Sequence, residues 1–145
     1  MRGGMRNAMP EQPADVRNKN FQEVALGYTK EMAVDEAQRC LNCPKPRCVG
    51  SCPVNIDIPK FIHEVAQENF ADAYKILKQK STLPAVCGRV CPQENQCEGK
   101  CVLGIKGEPV AIGRLERFVA DYAREHGLDN DVEAPAERKG KKVAV

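Results

Sequence analysis

Apolar residues fall at helical spacing in four stretches of this chain, and no stretch alternates for long enough to make a useful strand. Met32, Ala33, Ala37 and Cys40 share one face, so residues 32–41 predict a helix that delivers a cysteine at its end. Phe61, Ile62, Val65 and Ala66 mark a second helix. It opens at Pro59, where the missing N–H costs nothing, and runs to about Glu68. Phe70, Ala73, Tyr74 and Leu77 stripe a third, with Asn69 at the cap position and Asp72 making an imperfect capping box. A fourth spans residues 111–126 and stops at Gly127. The intervening segments are polar or broken by proline. Residues 1–20 predict a flexible N-terminal arm. Residues 42–58, interrupted by Pro44, Pro46 and Pro53, predict a loop, and residues 85–101 a second loop with short helical turns. The pattern describes a mostly helical domain over residues 21–127. Residues 128–142 then read as a charged linker. Val143, Ala144 and Val145 are β-prone, too short to make a sheet alone, and read as the start of a further domain in a longer protein.

The two loops hold the chemistry. All 8 cysteines lie in two tight groups. The first is C-x2-C-x4-C-x3-C-P, over Cys40, Cys43, Cys48, Cys52 and Pro53; the second is C-x3-C-P-x4-C-x3-C, over Cys87, Cys91, Pro92, Cys97 and Cys101. Thiolates two to five residues apart on one loop can face a common locus, a density that disulfides do not need. The first group is a close relative of the cysteine run of bacterial two-cluster ferredoxins, whose last cysteine serves the other cluster. Soft thiolates suit iron–sulfur clusters and zinc alike. Zinc ribbons and fingers usually repeat C-x2-C or add a His pair, and here His63 and His126 lie far from both groups. A zinc-stapled structural module is the alternative to clusters.

Composition narrows the setting. With 145 residues, no Trp and 5% aromatics, one domain with a thin core is expected, the kind that leans on metal for stability. The net charge of +2 speaks against a nucleic-acid-binding domain driven by phosphate contacts. No apolar run reaches membrane-spanning length, and the opening MRGGMRNAMPEQ lacks the apolar core of a signal peptide. The expectation is a cytoplasmic, reducing location, where clustered cysteines hold metal more often than they pair. Arg47, Arg89 and Lys100 lie inside the cysteine loops and could offset cluster charge, or be plain surface charge. Gly50, Gly88 and Gly99 could present N–H groups to cluster sulfur, with ordinary turns as the default.

Two four-iron clusters want eight ligands. The eight cysteines, Cys87 included, supply that number. Glu116 is a second candidate for the last position. On a helical wheel it falls beside Ile112, Val119, Ala120 and Ala123, with Arg114, Arg117, Asp121, Arg124 and Glu125 further round. A carboxylate on the apolar side is costly unless paired or bound to metal. A solvated glutamate at the edge of the stripe is the plainer alternative.

At these residues the chain resembles the N-terminal bis-[4Fe–4S] domain of the small (β) subunit of NADPH-dependent glutamate synthase. That module also occurs in the large subunit of NADH-dependent ferredoxin:NADP oxidoreductase, in sulfide dehydrogenase subunits, and in dihydropyrimidine dehydrogenase. The resemblance rests on RNKNFQEVALGYTKEMAVDEAQRCLNC, CVGSCPVNIDIPKFI, LPAVCGRVCPQENQCEGKCVLG, GEPVAIGRLERFVADY and GKKVAV, most of residues 17–145. It implies an all-α fold of the α-helical ferredoxin type and crossed ligation. One [4Fe–4S] cluster would take Cys40, Cys43, Cys48 and Cys101. The other would take Cys52, Cys91, Cys97 and Glu116, leaving Cys87 free. It also implies FAD and NADPH in a following domain, a flavoprotein redox partner such as the glutamate synthase large subunit, and electron transfer between them.

Overall fold

The computed structural model describes residues 4–129 and Gly140. The expected linker from residue 130 onward, and the expected strand at residues 143–145, lie outside the described residues, Gly140 excepted.

Seven α-helices carry the described chain: α1 (Ala14–Arg17), α2 (Lys30–Gln38), α3 (Arg47–Gly50), α4 (Ile58–Ala66), α5 (Phe70–Lys78), α6 (Pro84–Val90) and α7 (Ile112–Glu125). Two 3-10 turns, Glu98–Lys100 and Val102–Ile105, lie between α6 and α7. Among the described residues there is no strand, only an isolated bridge between Glu11 and Ala25. The domain is all-α, as its pattern predicts.

The apolar stripes of α4, α5 and α7 meet in one core. Phe61, Ile62 and Val65 of α4, Leu77 of α5, and Leu115 and Val119 of α7 are the largest fully buried apolar side chains. Phe70 packs edge-on against Phe118 at 5.1 Å and beside Tyr122 at 4.8 Å, joining α5 to α7. A tight turn through Glu68, at φ 61°, reverses the chain between α4 and α5. Asn69 occupies the cap position of α5, but its side chain donates to Glu64 rather than capping the helix. Gly127, at φ 69°, ends α7 in the left-handed conformation that glycine adopts freely.

Three features depart from the expected layout. The first helix starts at Lys30, capped by Thr29, and ends at Gln38, so Cys40 sits just past its end. Much of the second loop is helical as α6, because Pro84 starts a helix without needing an N–H. The arm over residues 1–20 makes specific contacts in its described part. Glu36, wholly buried, accepts from Arg39, from the Asn7 N–H at 2.7 Å and from the Ala111 N–H at 2.9 Å. Arg39 donates to the carbonyls of Gly4 (3.0 Å) and Glu108 (2.8 Å). One buried ion pair thus joins the arm, the end of α2 and the entry to α7.

Candidate metal centre

Local backbone geometry aims the first set of thiols. Cys40 follows the last turn of α2, its N–H donating to Ala37 at 3.1 Å. Asn42 stands at φ 49°, a conformation that asparagine tolerates, and the reversal brings Cys43 back to the same side. Cys48 lies on α3, and Cys101 joins the two 3-10 turns. Cys40, Cys43, Cys48 and Cys101 line one cavity with the buried Ile58, Ile62, Val110 and Ile112 and the exposed Leu41, Arg47, Lys100 and Val102. Burial pushes the Cys40 thiol up, and charge on Cys101 or Cys43 would push it further. Cys48 is pushed up to about 11 by burial, with Cys101 and Cys40 adding to it.

The second set gathers around α6 and α7. Cys52 follows α3, Cys91 ends α6, Cys97 opens the first 3-10 turn, and Glu116 comes from α7. Burial pushes Cys91 up to about 11, and its neighbours Cys87, Glu116 and Cys52 add to the shift. Burial pushes Cys97 up to about 12, helped by Glu98, Cys52 and Glu116. Glu116 is 7% exposed, and its Oε1 has no hydrogen-bond partner among the described residues. Burial alone holds its carboxyl up at about 7. Cys87 sits one turn before Cys91, with the Ser81 hydroxyl 3.9 Å from its sulfur.

These residues fit a four-iron cluster. All eight cysteines are free thiols. A buried carboxylate oxygen with no donor is costly, and a cation beside it removes the cost. Zinc draws its thiolates to about 2.3 Å from one centre. A four-iron cluster spaces its ligands more widely, one to each iron, and its thiolates are the soft donors present here.

The surroundings hold the second set firmly. Gly88 on α6 lies so close to α7 that an added Cβ would stand 2.5 Å from the Arg117 backbone nitrogen. Its role is close helix packing rather than a turn. A Cβ on Gly99 would meet the Glu94 carbonyl at 2.2 Å, so that glycine also serves close approach. Glu98, 5% exposed, accepts from the Gly113 N–H at 3.0 Å and pairs with Arg6 at 2.8 Å, fastening the Cys97 loop to the start of α7. Sequence reasoning missed Glu98 and Arg6, because both partners are remote in the chain. Arg89 is paired with Glu23 at 2.7 Å and Asp121 at 2.8 Å, whereas Arg47 and Lys100 line the first cavity. Arg117, on the polar arc of the wheel, is buried, reaching the Ala25 carbonyl at 2.8 Å and Glu23 at 3.2 Å.

A helical fold of this kind, with clustered thiols in two places, defines a helical iron–sulfur domain. Residues 17–128 match the family described as dihydropyrimidine dehydrogenase domain II, 4Fe-4S cluster, and the chain belongs to that family. It is 38% identical over 136 residues to the glutamate synthase [NADPH] small chain of Escherichia coli K12, covering 94% of this chain and 29% of that one. The glutamate synthase [NADPH] small chain of Halomonas elongata is 37% identical over 135 residues, covering 93% and 28%. The NAD-dependent dihydropyrimidine dehydrogenase subunit PreT of Escherichia coli K12 is 36% identical over 123 residues, covering 85% and 29%. The chain therefore spans less than a third of the length of these relatives. Among the described residues, no helix is long and apolar enough to cross a membrane.

Proposed function

We propose that this chain holds two [4Fe–4S] clusters and carries electrons between an FAD- and NADPH-binding module and a partner redox subunit. The ligands would be Cys40, Cys43, Cys48 and Cys101 for one cluster, and Cys52, Cys91, Cys97 and Glu116 for the other. The observation that carries this reading is the buried, unpartnered oxygen of Glu116 beside Cys91 and Cys97, in a chain where Cys40, Cys43, Cys48 and Cys101 share one cavity. When bound, a four-iron cluster accepts and releases one electron at a time, which suits it to divide the electron pair of a hydride taken up by flavin.

The chain's own residues set the conditions. Ile58, Ile62, Val110 and Ile112 keep water from one side of the first cavity. The Glu98–Arg6 pair and the Gly88 contact fix Cys97 and Cys91 relative to Glu116. A harder oxygen donor at one position changes local charge and ligand softness, and each shifts a cluster's potential.

The parent we favour is an NADPH-dependent glutamate synthase, in which L-glutamine, 2-oxoglutarate, NADPH and a proton give two L-glutamates and NADP. The names of two of the relatives support it. The likeness to the dihydropyrimidine dehydrogenase subunit supports a second parent built on the same domain. The test is iron, zinc and acid-labile sulfide per chain on anaerobically prepared protein. About eight iron and eight sulfide without zinc is expected. About two zinc without sulfide would sink the reading. Glutamate formation with the co-purified large subunit would separate the two parents.

A further inference from the structure

Cations are treated differently around the two cysteine sets. At the second, the nearby arginines are matched: Arg6 by Glu98, Arg89 by Glu23 and Asp121, and Arg117 by Glu23 and Asp121. At the first they are not. Lys45, Arg47, Lys60, Lys100 and Lys106 are exposed, and none of their side chains makes an ion pair or hydrogen bond among the described residues. Only Lys19 and Lys80 share that condition elsewhere in the described chain.

Arg47, Lys60 and Lys100 line the first cavity or a hollow beside it, and Lys45 and Lys106 flank them along the chain. Arg47 and Lys100 line the first cavity itself. A hollow sharing Cys43, Pro46 and Pro59 with it contains Lys60, and another sharing Arg47, Lys100 and Cys101 contains Ile105, next to Lys106. Lys45 lies between Pro44 and Pro46. Acid on this rim is sparse. Asp57 lies in the Lys60 hollow, Glu98 is buried against Arg6, and Glu108 accepts from the Arg6 N–H. Leu41, Val102 and Ile105 are 41%, 37% and 66% exposed among these charges. An apolar centre ringed by unpaired charge of one sign is the anatomy of a docking face for a partner of opposite sign.

We propose that the rim of the first cavity is the docking face for an acidic one-electron carrier protein, and that this set of thiols is the one presented to it. The proposal rests on the electron-transfer reading above. Surplus cations placed at one mouth steer an anionic partner to it and raise its association rate. Carboxylates on that partner would pair with Lys45, Lys60 and Lys106, while Leu41, Val102 and Ile105 are covered. The matched arginines of the second set offer no such attraction.

The test uses the cluster-loaded full chain with an acidic flavodoxin as the probe. Two readings are taken: equilibrium binding of the oxidised partners, and reduction of a neutral quinone by the dithionite-reduced chain. Lys60→Glu/Lys106→Glu reverses two rim charges without touching a cysteine, and Lys19→Glu/Lys80→Glu reverses the two unpaired charges elsewhere. The rim variant is expected to bind flavodoxin about tenfold more weakly, with a flatter salt dependence, and to reduce quinone normally. The other variant is expected to behave as the parent chain. Equal weakening by both variants, or none by the rim variant, overturns the proposal. Failed quinone reduction with flavodoxin binding still sensitive to the rim would remove the electron-transfer reading and leave the docking face standing.

Discussion

Gly88→Ala probes the closest contact between the two helices that flank the second thiol set. The new methyl carbon would stand 2.5 Å from the Arg117 nitrogen and 2.8 Å from its Cα and Cβ. Carbon contacts are comfortable at about 3.5–4.0 Å, so α6 would have to lift roughly 1 Å from α7. On an open helix surface the same change is stabilising by about 0.5–1 kcal/mol, because glycine is a poor helix former. Against backbone that cannot swing aside, overpacking costs about 1–3 kcal/mol, so the contact decides the sign. The lift would carry Cys91, at the end of α6, away from Glu116 on α7. The variant should therefore lose iron selectively, falling from about eight per chain toward about four, with the first set still loaded. Iron and sulfide analysis with low-temperature EPR of the reduced chain would show it. Gly104→Ala, whose Cβ meets nothing closer than 3.6 Å, is the control. A Gly88→Ala chain with full iron and a raised thermal midpoint would refute the close approach of α6 to α7.

Other perturbations test the remaining parts. Replacing Arg39 with Ala strands the wholly buried Glu36 and should cost about 3–5 kcal/mol in urea unfolding; a loss under about 1 kcal/mol would mean that the pair is not buried as described. In the metal-free chain, burial holds Glu116 at about 7 against an ordinary 4.5, so the folded form keeps its proton after the unfolded form has lost it. Stability from this group is then fully present below about pH 4.5 and is lost as pH rises through about 7. Urea midpoints across that window should fall, and Glu116→Gln should flatten the fall; an unchanged slope in the variant would point to another group. Removing iron with a chelator should loosen residues 42–57 and 91–101 while α4, α5, α6 and α7 stay protected from hydrogen exchange, since ligation is coupled to local folding. Uniform protection before and after would contradict that coupling.

The sequence showed the parts of this fold that depend on short-range periodicity. The stripes of α4, α5 and α7 and the stop at Gly127 were visible because each is set within a few residues. The gathering of Cys40, Cys43 and Cys48 was visible for the same reason, and Glu116 stood out as a carboxylate on an apolar face. Long-range pairing was not visible. Arg117 looked solvent-facing on its wheel, and is buried because residues 23–25 cross over it. Gly88 looked like a turn residue, since a helix pattern in one segment cannot report how near another helix comes. The arm over residues 4–7 looked loose because its partners, Glu36, Glu98, Glu108 and Arg114, lie far along the chain.

The cavity shared by Cys40, Cys43, Cys48 and Cys101 has a consequence for biosynthesis. Its first three thiols leave the ribosome well before the fourth, and at ordinary translation speeds the wait from Cys40 to Cys101 lasts roughly 3–12 s. The proposed second set waits longer still, for Glu116. Throughout that interval the nascent chain carries a run of exposed thiols with no complete site to accept iron, open to oxidation or to the wrong metal. A cell making this protein has reason to shield that window, by pacing its translation or by keeping cluster donors away until the seventh helix has emerged.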